Sequence, residues 1–162
     1  MSKKILVAVE VNAEHLELFK QASQGKCELI VKNMNEISAD DVASVDGIIG
    51  NVSPEIVRQA DNLEFLQLNS AGCDQYLKPG ILKDKTALCT AVGSYGLAVS
   101  EHMLAMTFDL VRHFALYRDK QLAHDWSDCG RISSIWGSTI AVLGLGDIGG
   151  SYAQKVKALG AK

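Results

Sequence analysis

The run Thr139-Ile140-Ala141-Val142-Leu143-Gly144-Leu145-Gly146-Asp147-Ile148-Gly149 constrains this chain more than any other feature. Its first five residues are apolar or β-branched and read as a buried strand. The glycines at 144, 146 and 149 then follow the G-x-G-x-x-G spacing, in which the first makes a tight turn, the second lets backbone approach a phosphate, and the third lets a helix pack on the strand. Ser151 to Leu159 reads as that helix, with Gly160 as its C-cap. Such a turn gathers unpaired N–H groups and the positive end of a helix dipole, which suits a dinucleotide pyrophosphate. The acidic residue that completes the ribose side of such a site belongs about 20 residues beyond the first glycine, past Lys162. A strand apolar on both faces also needs parallel neighbours to cover it. The chain is therefore expected to be the front part of a longer protein.

Upstream, strand and helix signals alternate. Ile5–Val9 reads as an apolar strand, and Asn12 caps a helix with Leu16, Phe19 and Ala22 at helical spacing before Gly25 ends it. Cys27–Val31 is a second strand. Ser38 and Asp41 form a capping box for a short helix that precedes the strand Gly47–Gly50. Ser53-Pro54-Glu55 opens another helix, with proline in the first turn and an acid near the positive dipole end. Phe65–Leu68 and Thr86–Thr90 complete five strands without hairpin dipeptides, which predicts a parallel α/β sheet of flavodoxin-like type. From Ala98 to about Arg118 the spacing predicts one long helix, apolar nearly all round over Met103–Phe108 and therefore buried on more than one side. Its charges from Arg112 to Lys120 read as a solvated face, and His124 to Gly137 as an irregular connector.

Two loops follow strand ends on the edge where open α/β sheets take ligands. In Asn69-Ser70-Ala71-Gly72-Cys73-Asp74 the small residues leave backbone N–H groups free to form a nest for an anion such as a carboxylate. Asn51-Val52-Ser53 lies at the same edge. The formal charge of −3 and the lack of a basic stripe give no sign of nucleic-acid binding. The chain has neither a signal-peptide pattern nor 18 consecutive apolar residues, so the expected location is cytoplasmic. Cys27, Cys73, Cys89 and Cys129 are scattered, which suggests neither a metal site nor a disulfide framework. His15, His113 and His124 have no carboxylate at partner spacing, His102 follows Glu101 in the long helix, and all four read as surface or packing residues.

Three stretches in order resemble the D-isomer-specific 2-hydroxyacid dehydrogenase family. "LEFLQLNSAGCDQY" is similar to its substrate loop, "GSYGLAVSEHMLAM" to the crossover into its interdomain helix, and "WGSTIAVLGLGDIGGSYAQKVKALGAK" to the first βα unit of its cofactor domain. The resemblance implies a flavodoxin-like substrate domain over 1–96. Residues 97–162 would then hold the interdomain helix, a dimerisation arm and the start of a Rossmann domain. It places Val52 near the substrate and the N–H groups of Ala71 and Gly72 on its carboxylate. Val99 would lie near the nicotinamide, with Gly144, Gly146, Asp147, Ile148 and Gly149 around the pyrophosphate of NAD, with NADP open.

The implied reaction moves hydride between nicotinamide and the 2-carbon of a small 2-keto or 2-hydroxy acid. A His oriented by a Glu handles the proton, and an Arg polarises the carbonyl. All three fall beyond Lys162, so no catalytic residue is assigned and the chain by itself is expected to be inactive. Two departures stand out: Asp147 occupies a position where the family often has Arg, and a carboxylate repels a pyrophosphate; Gly137-Ser138 replaces Gly-Lys before the strand. The resemblance also implies a two-fold homodimer through Leu97–Leu116. A dinucleotide-sensing, corepressor-like interaction protein on the same fold is the alternative, and a methyltransferase is a weaker one.

Overall fold

Leu6, Ile48 and Leu66 stand in register on three adjacent strands and are completely buried. In the computed structural model, which describes residues 2–162, Ile30 and Leu88 extend this row across a five-stranded parallel sheet. The strands are β1 (Lys3–Val7), β2 (Cys27–Val31), β3 (Gly47–Ile49), β4 (Phe65–Gln67) and β5 (Ala87–Cys89), in the order β2-β1-β3-β4-β5. That is the expected flavodoxin-like order. Between them run α1 (Ala13–Ser23), α2 (Ala39–Val42) and α3 (Pro54–Val57). Val42, Val45, Val57 and Leu63 close over the sheet and are each at most 1% exposed. Each such burial is worth roughly 1.5–3 kcal/mol.

The local signals work as read. The Asn12 side chain accepts the His15 N–H at 2.8 Å, and the ring of His15 completes a capping box. Asp41 accepts the Ser38 N–H at 2.8 Å and Lys32 Nζ at 2.7 Å. These contacts hold its carboxyl at a pKa of about 2, the Lys32 hydrogen bond contributing most. The chain divides into two compact units, Met1–Val92 and Gly93–Lys162. The sheet is the first.

The second unit contains α4 (Gly96–Arg112), α5 (Phe114–Leu122) and α6 (Asp147–Ala158). The single helix predicted over 98–118 is corrected here, because the backbone breaks at His113 into the left-handed region at φ 58°. The Asp109 carboxylate accepts the Ala115 N–H at 2.8 Å beyond the break. A short acidic side chain offers the backbone an alternative partner and so competes with an unbroken helix. Met103, Leu104, Phe108 and Val111 turn inward and pack with Ile135, Tyr152 and Val156 of the same unit. Leu97, Met106, Leu110, Phe114 and Leu116 remain exposed.

The strand predicted at Thr139–Leu143 is also corrected. Lys162 N–H donates to Ser138 O at 2.8 Å and Ile140 N–H to Lys162 O at 3.1 Å, the alternation of a parallel pair, and Gly137 N–H reaches Gly160 O at 2.9 Å. Beyond Ile140 no ladder continues among the described residues, and Leu143 is fully exposed. An apolar, β-branched sequence becomes a strand only when neighbours take its N–H and C=O groups.

Candidate nucleotide turn and carboxyl-edge loops

Gly144 sits at φ 92°, a left-handed conformation that disfavours any residue bearing a Cβ. It turns the chain from residues 139–143 into α6. A Cβ on Gly149 would strike the Gly144 carbonyl oxygen, whereas space is open around Gly146. The three glycines thus do three different jobs: a turn at 144, an unobstructed backbone at 146, and close packing at 149. Gly146 is the N-cap of α6 and has no side chain to cap the helix's first N–H groups. Ile148 is partly exposed beside them.

Asp147, the first residue of α6, directs its carboxylate against Gly96, the first residue of α4. The turn and the first turn of α4, which carries the exposed Val99, are thereby brought together. One helical turn further on, Ser100 is wholly buried and its hydroxyl lies 2.9 Å from that of Ser151. Lys155 Nζ donates to both hydroxyls, at 2.8 and 2.9 Å. Gly96, Ser100, Ser151 and Lys155 were not singled out from the sequence. The available signal was the four-residue spacing of Asp147, Ser151 and Lys155, which puts them on one face of α6.

In the first unit, the loops after β3 and β4 are tied together. The Asn51 side chain accepts the Asn69 N–H at 3.0 Å, and Ser70 Oγ donates to Gly72 O at 2.9 Å. Ala71 and Gly72 are exposed, with open space where a Cβ of Gly72 would stand. Val52 is different: its side chain is buried, and its carbonyl accepts the hydroxyl of the buried Tyr76 at 2.9 Å. Any contact it makes at the edge is therefore a backbone one. Tyr76, which anchors the loop at Val52, escaped sequence reasoning, because a lone Tyr has no spacing signature. A recess of about 790 Å³ opens at the ends of β1 and β2 and reaches Asn69.

His113 Nδ1 lies 3.2 Å from the Cys129 carbonyl oxygen, and His15 belongs to its capping box. All four cysteines are free and half-buried. Among the described residues, no group of His, Cys, Asp or Glu is arranged to hold a metal, and no helix is long and apolar enough to cross a membrane.

Residues 104–162 match the model of the D-isomer specific 2-hydroxyacid dehydrogenase, NAD binding domain. The likeness to that family covers these residues, somewhat over a third of the chain. An uncharacterized protein from the proB 3' region of Corynebacterium melassecola is 27% identical over 129 residues, covering 76% of this chain and 41% of the relative. The D-3-phosphoglycerate dehydrogenase of Bacillus subtilis is 22% identical over 138 residues, 82% of this chain and 26% of that protein. A crystal structure of a D-isomer specific 2-hydroxyacid dehydrogenase family protein from Aeromonas salmonicida shares the fold, with a TM-score of 0.87 at 22% identity over all of this chain and 52% of that one. The chain thus spans about half or less of the length of the proteins it matches.

NAD is the cofactor of the matched domain, and the residues present fit it. The left-handed turn at Gly144, the open backbone at Gly146 and the helix N-terminus without a capping side chain form a cradle that side chains would otherwise fill.

Proposed function

We propose that the chain supplies the substrate domain and the opening βα unit of an NAD-dependent oxidoreductase. Its reaction would interconvert a small 2-keto acid and its D-2-hydroxy acid. The glycine turn at the head of α6, within the segment that matches an NAD-binding model, carries this reading. Bound NAD would supply hydride transfer. The N–H groups around Gly146, Asp147, Ile148 and Gly149 would take the pyrophosphate, and Val99 would flank the nicotinamide. At the carboxyl edge of the sheet, the N–H groups of Ala71 and Gly72 would hold the substrate carboxylate, with the Val52 backbone beside it.

The sequence expectation of a substrate domain over 1–96 and a cofactor segment over 97–162 is part of this proposal. So is a cytoplasmic location. The His, Glu and Arg that the reaction needs are proposed to lie outside this chain, which by itself should not turn over. The exposed apolar side chains Leu97, Met106, Leu110, Phe114 and Leu116 support a two-fold homodimer, since leaving that much apolar area in water is unfavourable.

Amide NMR with added NAD tests the nucleotide site. The amides of Gly144, Gly146, Ile148 and Gly149 should move at millimolar NAD, and NADH should not be consumed with pyruvate, hydroxypyruvate or glyoxylate. Unmoved fingerprint amides would overturn the cofactor assignment. Turnover would overturn the placing of the catalytic groups outside the chain.

A further inference from the structure

Gly96 is buried at the start of α4, and the space its side chain would need is filled by the carboxylate of Asp147. We propose that Gly96 is a positioning residue for the nucleotide turn: it receives Asp147 and so fixes the head of α6 against the first turn of α4. This inference rests on the NAD reading for its functional meaning.

Three observations support it. First, α4 has neither a capping side chain nor an acidic residue in its own first turn. A helix N-terminus favours a negative group, and Asp147 of α6 brings one there. This also gives the carboxylate a place other than against a pyrophosphate, where the sequence alone makes it unfavourable.

Second, the contact continues along both helices. Ser100 Oγ lies one turn beyond Gly96 and bonds to the Gly96 carbonyl, while Ser151 and Lys155 meet it from α6. Third, Thr107 Oγ and Tyr152 Oη are 2.7 Å apart further along the same seam. The three contacts set both the axial position and the rotation of α6. Its first N–H groups are those of the glycine turn, so any displacement at Gly96 moves the turn itself.

The decisive comparison is Gly96→Ala made in the unaltered chain and again in Asp147→Ala. Alanine in a helix normally stabilises relative to glycine. In the unaltered chain it should instead lower the melting temperature and move the amide resonances of Gly144, Gly146 and Gly149. In the Asp147→Ala background the same change should leave those resonances in place and raise the melting temperature. NAD affinity, followed by amide shifts, should fall about tenfold in Gly96→Ala, the equivalent of one lost hydrogen bond.

If Gly96→Ala does not fold but the double variant does, the proposal is supported. Unmoved fingerprint amides in Gly96→Ala, or no relief from Asp147→Ala, would overturn it. Should the unaltered chain fail to respond to NAD while the ligand-free comparison behaves as described, the nucleotide reading fails and the positioning of the turn by Gly96 stands.

Discussion

Removing the Tyr76 hydroxyl tests how the carboxyl-edge loops are held. Tyr76 is 1% exposed and donates to the equally buried Val52 carbonyl at 2.9 Å. Tyr76→Phe keeps the ring and its packing but strands that carbonyl. A net hydrogen bond contributes about 0.5–1.5 kcal/mol, and an unsatisfied buried partner costs about 1–3 kcal/mol, so a loss of about 1–3 kcal/mol is expected. The assay must report on the first unit alone. Trp126 and Trp136 both lie in the second unit, so tryptophan fluorescence is blind to the change. Hydrogen exchange at Ala8 and Gly50, whose N–H groups bond Ile49 O and Gln67 O, reads the sheet directly. Protection there should fall by the same free energy, and the amides of residues 51–53 should shift. A loss below about 0.3 kcal/mol would refute the reasoning, because it would mean that Val52 O is hydrated or bonded otherwise. Burial also pushes the Tyr76 hydroxyl above the ordinary tyrosine pKa. Its neutral form is thus favoured in the folded chain, so stability is lost as pH rises above the unfolded tyrosine value, and Tyr76→Phe should abolish that part of the alkaline loss.

Asp41, held down to a pKa of about 2 by Lys32 and Ser38, contributes stability that is complete above the ordinary aspartate value and lost as pH falls toward about 2. Asp41→Asn should flatten the first unit's acid unfolding over that window, and an unchanged acid transition would contradict the assignment. Leu110, 73% exposed on α4, probes the proposed dimer without touching the unit's own core. Leu110→Asp should convert dimeric mass in light scattering to monomeric at micromolar protein, with the melting of the isolated fold retained. A monodisperse monomer of the unaltered chain would refute the dimer. Phe108 is unsuited to that test because it packs against α6 in its own unit.

The alternation of strands with short capped helices, and with it the parallel α/β class, was legible in the sequence, because it rests on local chemistry. Asn12, Ser38 and Pro54 mark helix starts through hydrogen bonds and φ restriction that need no distant partner. The glycine fingerprint was legible for the same reason: a left-handed turn and a close approach each demand glycine wherever they occur. What depended on a second element could be settled only in three dimensions. Whether residues 139–143 form a strand is decided by the neighbours that take their hydrogen bonds, and here Lys162 takes that of Ile140. Which side of α4 is core is decided by the arrival of α6, which covers Phe108 and leaves Leu110 in water. Asp147 shows the difference most sharply: by type and position it is a charge beside a phosphate-binding turn, but packing carries its carboxylate to Gly96, where the positive end of another helix receives it.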